Sequence, residues 1–272
     1  MKTRFAAPPR AEIDPAVFAR PPLAHWSEFD ELLRGPEWPG IAALAARATC
    51  VPGAPRFVAQ TPALLRDGLH YEDRIAVRGE IATRECNWHD LLNALVWLRY
   101  PVLKRALNAR QTAEIAAMGP KRRSRAQCAL THFDEAGVVV VLRDYDLLAP
   151  WDAHEWTRLF RDDAAAWLDG RIDVAVFGHA LLEHALKPHQ LVVGKAIVVL
   201  APPGADLDAA IDRVARSVGA GEILLDPQEL RPLPLSGIPG WHADSTAPDF
   251  YESAPCFRPL RTGRRYPPAL RL

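Results

Sequence analysis

The chain has 272 residues, 49% of them hydrophobic, and its 33 Lys+Arg are balanced by 33 Asp+Glu. That length supports one large domain or two small ones around a sizeable core, and the apolar content excludes wholesale disorder. The zero formal charge argues against generic binding to nucleic acid or anionic membranes, which needs a basic excess, although it leaves room for a local basic patch.

Four cysteines (Cys50, Cys86, Cys128, Cys256) lie far apart and form no CxxC pair, so neither a disulfide framework nor a cysteine-rich zinc site is expected. The opening MKTRFAAPPRAEIDP has no apolar signal region, and no apolar run reaches membrane-spanning length. The expectation is a cytoplasmic protein without membrane contact. Its partner is expected to be a small molecule or another protein.

In chain order, residues 1–24 are rich in Pro and Ala and read as an arm, either lying on the domain or loose in solvent. SEFDELL offers Ser27 as the cap of a short helix that Gly35 and Pro36 end, and PGIAALAARAT suggests a second helix. FVAQTP and RIAVRGEIATR are weaker signals for short strands or loops. WHDLLNALVWLRY is helical. Pro101 ends it or opens the next helix, VLKRALNARQTAEIAAM, which Gly119 and Pro120 stop. AQCALTHFDEAGVVVVLRD reads as a β-hairpin with DEAG as its turn. DAHEWTRLFRDDAAAWLD reads as one helix with Asp152 as its cap. VAVFGHALLEHALKP is strand, glycine, helix, or else one continuous helix, and the first is preferred. KAIVVL is a strand, DLDAAIDRVARSV a helix, and residues 231–272 an irregular tail. The fold expected is α+β: a single domain over 25–230, with helices on a small mixed sheet that includes the hairpin, and irregular arms at both ends.

Two segments carry candidate chemistry. On the Trp88–Tyr100 helix one face is apolar, while His89, Asn93, Val96 and Tyr100 share the other, with Asp90 beside them. A face without Lys or Glu that mixes aromatics with His, Asn and Asp suits a pocket wall. It equally suits a buried hydrogen-bond network, and Asn87 with Asp90 has the spacing of a capping box. The second segment, GHALLEHALKPH, holds His179 and Glu183 four apart, a spacing that lets both reach one metal ion on a helix. It matches neither HExxH nor HxxEH, so no peptidase is implied, and an i,i+4 His–Glu pair without metal accounts for it as well. Asp134 and Glu135 fit turn chemistry in FDEAG, yet an acidic turn can add a metal ligand. KRRSR, residues 121–125, is a basic run whose ordinary meaning is a solvated loop.

Taken together, WHDLLNALVW with Pro101, LNARQ, LTHFDEAGVVV, FGHALLEHALKP, GIPGW and FYESAPCFRP resemble an uncharacterised bacterial family, the domain-of-unknown-function family 3025. The resemblance runs from about residue 85 to the tail. It implies a cytoplasmic protein built on one family-defining domain and assigns no catalytic residue. His132 and His184 are less typical of those segments.

Two functions follow as expectations. In the first, His89, Asp90, Asn93, His179 and Glu183 converge as the catalytic residues of a hydrolase. That enzyme acts through a divalent metal held by His89, His179, Glu183 and Asp134, or by metal-free acid/base chemistry. A separation of His89 and His179 beyond roughly 12 Å would exclude a shared ion, because ligand bonds are about 2 Å long. In the second, the protein is a non-catalytic binding or assembly protein whose histidines form an internal network. An open, concave cluster favours the first and a sealed one the second.

Overall fold

The computed structural model describes residues 5–51, 56–119, 122–247 and 249–272. Residues 1–4 of the expected arm, Pro120 at the helix stop, Lys121 of the basic run and Pro248 of the tail lie outside the described residues.

The fold is α+β, with helices packed on a small mixed sheet. In chain order the helices are α1 Asp30–Leu33, α2 Ile41–Ala48, α3 Tyr71–Arg78, α4 Trp88–Arg99, α5 Pro101–Met118 and α6 Arg125–Ala136. They continue with α7 Leu148–Asp152, α8 Ala165–Leu168, α9 His179–Ala185, α10 Leu207–Ala220 and α11 Phe250–Ser253. The strands are β1 Arg56–Ala59, β2 Glu80–Thr83, β3 Gly137–Leu142, β4 Ile172–Val176, β5 Val193–Leu200, β6 Arg231–Pro234 and β7 Leu270–Arg271. Among the described residues no helix is long and apolar enough to cross a membrane.

The main sheet runs β4-β3-β5-β6, with β7 also pairing β5. β3 is antiparallel to β4 and parallel to β5, while β5 is antiparallel to β6. Every residue of β3 is buried, which explains why its sequence is an unbroken apolar run and does not alternate. Helices α6 and α10 pack against β3 and β5. β6 is the outer strand, with sequence RPLP. The carbonyl of its Pro232 accepts the Trp151 indole N–H at 3.1 Å. A separate parallel pair, β1 with β2, sits beside α3 and α4.

The N-terminal segment packs on this body. Val17, Phe18, Leu23 and Trp26 are buried. The Arg10 guanidinium is buried too: it donates to the carbonyls of Leu32 and Gly35, both at 2.9 Å, and lies over the Trp38 and Trp88 rings. Ser27 lies inside a 3-10 turn, Leu23–Phe29, and caps nothing.

Three expectations are corrected. The hairpin over 126–144 does not form, because its first half is α6. Ser124 and Gln127 make a reciprocal capping box, and Ala126, Ala129, Leu130 and Phe133 bury one helical face. Gly137 is therefore no turn residue; it opens β3 in extended conformation at φ −70°. The single helix over 152–169 is broken. α7 ends at Asp152, whose carboxylate pairs with buried Arg231 at 2.6 Å, and a π turn spans Arg158–Asp162. The Trp167 indole N–H donates to the Leu159 carbonyl across that turn at 2.8 Å. RIAVRGEIATR is helix and then strand: α3 stops at Gly79, φ +62°, and β2 follows.

A close backbone crossing joins the α6–β3 junction to the β4–α9 junction. The amides of Phe177 and Gly178 both donate to the Gly137 carbonyl, at 3.0 and 2.8 Å. A methyl group on Gly178 would lie 2.5 Å from the Ala136 Cα and the Gly137 nitrogen. We expect Gly178→Ala to lower unfolding free energy by about 2–3 kcal/mol in urea titrations, because backbone cannot yield as a side chain can. Gly219→Ala, where the new methyl makes only ordinary contact with Ala106 at 3.9 Å inside α10, should instead be neutral or stabilise by up to about 1 kcal/mol. Equal effects at the two positions would refute this account of the crossing.

Candidate functional site

Five helices converge on one cleft, and each contributes polar groups near an end or along one stripe. α4 begins at Asn87, whose side-chain oxygen accepts the Asp90 amide at 3.0 Å. Only half of the expected capping box forms. The Asp90 carboxylate turns instead to Arg84, taking its backbone amide at 2.7 Å and its guanidinium at 3.0 and 2.6 Å. Asp90 is thus engaged with Arg84 and does not pair with the His89 ring.

His89, one residue earlier, points its Nδ1 at Glu183 Oε2 of α9, 3.0 Å away. Its Nε2 faces His179 Nε2 at 3.0 Å, with the rings edge to face and their centroids 4.4 Å apart. The two histidine segments therefore meet. Glu135, on the last turn of α6, completes the group. Its Oε2 lies 3.6 Å from His179 Nε2 and 3.9 Å from His89 Nε2. These three ligand atoms all fall within 4.8 Å of one another.

Behind His179 lies Asp134, whose Oδ2 is 3.9 Å from the histidine Nδ1. That Nδ1 is buried and makes no hydrogen bond. Asp134 in turn accepts from Lys104 Nζ at 2.6 Å, and Lys104 also donates to Asn93 Oδ1 at 2.9 Å. Asn93 passes the chain on by donating to the Tyr71 hydroxyl at 2.8 Å. Next along α3 and α5, Asn108 Nδ2 donates to the Glu72 carboxylate at 2.6 Å. The cleft holds about 470 Å³, and Gln111, Thr131, Arg122 and Arg123 extend its lining away from the histidines.

The charges follow from these contacts. Glu183 raises the His89 pKa above 6.5 despite partial burial. Burial drops the His179 pKa to about 3, with Lys104 and His89 also opposing its charge. An added proton therefore settles on His89, between Glu183 Oε2 and His179 Nε2, in preference to His179, whose Nδ1 faces Asp134. Burial would raise the Asp134 carboxyl, but Lys104 and the histidines hold it below its ordinary value. Burial raises both Glu135 and Glu72, each with help from Asp134.

Of the residues singled out in the sequence, His89, His179, Glu183 and Asp134 come together, and Asn93 joins them through Lys104. Glu183 does not share the Nε2 side with the two histidines; it sits behind His89, as Asp134 sits behind His179. Sequence reasoning saw Glu135 only as part of an acidic turn able to add a ligand, and so missed the corner it holds at a helix end. It also missed Lys104, although Lys104, Asn108 and Gln111 recur at i, i+4, i+7 along α5 as a polar stripe. His184 stacks on Phe5, and His132 is exposed; neither enters the cleft.

Because the folded pKa of His89 exceeds its unfolded value, that group stabilises the fold below about pH 6.5 and loses its contribution as pH rises through the raised value. His179 acts oppositely. Its contribution is present above about pH 6.5 and is lost as pH falls toward its folded value of about 3. In chelator-treated protein, ring NMR titrations should show His89 titrating above pH 6.5 and His179 remaining neutral through pH 5. Glu183→Gln should return His89 toward its ordinary value; an unmoved His89 would contradict the assigned bond. Lys104→Met strands the partly buried Asp134 carboxylate and should cost about 2–3 kcal/mol in chemical denaturation. A loss under about 0.5 kcal/mol, the range of ordinary surface substitutions, would show that Asp134 does not depend on Lys104.

Comparison with curated proteins and with solved structures returns no match. A family does match, over residues 55–261, about three-quarters of the chain and every residue of the histidine–carboxylate cluster. The chain belongs to the family described as Protein of unknown function (DUF3025).

Proposed function

We propose that His89, His179 and Glu135 bind a divalent transition-metal ion and that the protein is a metal-dependent hydrolase. The observation carrying this reading is the triangle of ligand atoms, 3.0, 3.6 and 3.9 Å on its sides. Tetrahedral ligands with bonds of about 2.0–2.1 Å stand about 3.3 Å apart, so small side-chain movements bring these three into register. A proton between two facing Nε2 atoms occupies the position a cation would take. With an ion there, each histidine keeps its remaining proton on Nδ1, where Glu183 and Asp134 already stand. A carboxylate behind a ligating imidazole fixes its tautomer and increases its basicity. In this reading Glu183 and Asp134 support the ligands, and Glu135 takes the third ligand position.

Two histidines and one carboxylate leave a coordination position free, as catalytic sites require. The exposed parts of the cluster are Glu135, with 43% of its side chain accessible, and His89, with 32%. That openness toward the cleft favours an enzyme over the sealed internal network of a non-catalytic protein. A bound ion supplies an activated water at neutral pH and polarises a substrate oxygen. Asp90 and Asn93, held by Arg84 and Lys104, shape the cleft wall. Glu72, whose carboxyl is raised by burial, is the titratable group placed to exchange a proton in the same cleft.

Mass spectrometry of tag-free protein prepared without chelators should find about one metal ion per chain, lost in His89→Ala and in His179→Ala. Glu183→Gln should retain the site with affinity lowered about 10- to 100-fold. The loaded protein should hydrolyse members of an ester and phosphoester panel, and Glu135→Gln should abolish that turnover. Absence of metal from every sample, including protein refilled with zinc, manganese or iron, would end this reading.

A further inference from the structure

Away from the histidine cleft, a second and larger groove of about 1060 Å³ opens between the β5–β6 edge and the C-terminal segment. Lys195, Arg258, Arg261 and Arg264 line it, together with His132 and His154, and no Asp or Glu is among its lining residues. This concentration is unexpected in a chain whose Lys+Arg and Asp+Glu are equal. The acidic groups nearby are committed elsewhere. Asp226 pairs with Arg125, Asp152 with Arg231 and Glu155 with Arg158, while Glu229 accepts the amides of Leu224, Leu225 and Asp226.

Lys195 makes the point most sharply. It sits within β5, opposite Pro232, and is half-buried without a carboxylate partner among the described residues. Burial, reinforced by Arg264, lowers its pKa. His132 is lowered by burial and by Lys195, and Arg264 also works against a charge on His154. Arg264 is anchored by the Gln228 side chain at 3.2 Å, by the Gln228 carbonyl, and by the Tyr266 ring. The cations are thus crowded, with Lys195 and Arg264 half-buried, and Asp226, the carboxylate that acts on Arg264, is already held by Arg125, an arrangement that an added anion would complete.

We propose that this groove is a second ligand site, for a small molecule carrying an oligophosphate chain. Three arginines and a lysine exceed what one carboxylate or one orthophosphate neutralises, and they match the three to four charges of a triphosphate. Arginine forks take phosphate oxygens in pairs, and a lysine adds a point charge. The volume suits a nucleotide-sized molecule. A nucleic-acid strand fits less well, because such grooves present exposed aromatic rings for base stacking. Here Trp156 is buried, and its indole N–H is spent on the Arg258 carbonyl at 2.8 Å. Recognition is therefore through the phosphates, and this site stands independently of the metal reading above.

The test is calorimetric titration of the full chain with inorganic tripolyphosphate in EDTA buffer at low salt, alongside orthophosphate and a 20-nucleotide single strand. Saturable one-to-one binding of tripolyphosphate is expected. It should be weakened about tenfold by Lys195→Gln and by Arg261→Gln, the loss of one charge-assisted hydrogen bond each. It should be unchanged in His89→Ala and in Arg122→Gln, which lie on the other cleft. Arg261 is exposed, so its variant keeps the test valid even if Lys195→Gln unfolds. No binding below millimolar tripolyphosphate, or binding unaffected by Arg261→Gln, would overturn the proposal. So would orthophosphate binding equally well, or the oligonucleotide binding more tightly than tripolyphosphate.

Discussion

The site rests on a backbone crossing between two glycines. Where β4 gives way to α9, the amides of Phe177 and Gly178 share one acceptor, the carbonyl of Gly137 at the junction of α6 and β3. No side chain fits between these segments. Their contact brings the last turn of one helix, with Asp134 and Glu135, against the first residue of another, His179. Precise placement of groups of opposite charge depends on rigid support, and backbone contact is the most rigid support a fold offers. The rest of the cluster follows once α4 packs on α9 and sets His89 between Glu183 and His179.

Zero net charge conceals two opposite environments. The histidine cleft gathers carboxylates, of which Glu72 and Glu135 are pushed toward their neutral forms, with Lys104 buried behind Asp134 and the arginines Arg84, Arg122 and Arg123 elsewhere on its walls. The groove on the β5–β6 side gathers cations and excludes carboxylates from its walls. Overall charge balance therefore says little about local recognition: it argues against a uniformly basic protein and leaves both of these surfaces undetected.

Much of the fold was legible in the sequence, for identifiable reasons. Asn87 before a long apolar run marks a helix start by its capping chemistry, Pro101 takes the second of its two expected places and opens α5, and DLDAAIDRVARSV is helical as read, with Asp206 as its cap. The strand–glycine–helix order around Gly178 is also as read. The hairpin reading failed because FDEAG has the composition of a turn, while Ala126, Ala129, Leu130 and Phe133 carried a helical period that outweighs it. That error had a cost at the site, since a turn gives Glu135 no defined direction and a helix end does. The helix over 152–169 failed because the buried Arg231–Asp152 pair is a contact between residues 79 apart, invisible to any local pattern. Lys104 was hidden for a different reason: a lone lysine among leucines reads as a solvated position until the carboxylate that pairs with it, thirty residues on, is known.

The outer strand of the sheet has a consequence beyond architecture. β6 reads RPLP, so Pro232 and Pro234 present no amide hydrogens, and the Pro232 carbonyl is already taken by Trp151. A strand from another molecule that approached this edge would find almost nothing to pair with. A sheet whose central strands are VVVVL and KAIVVL is the kind of sequence that would otherwise template aggregates. The two prolines close this edge of the sheet to further strands.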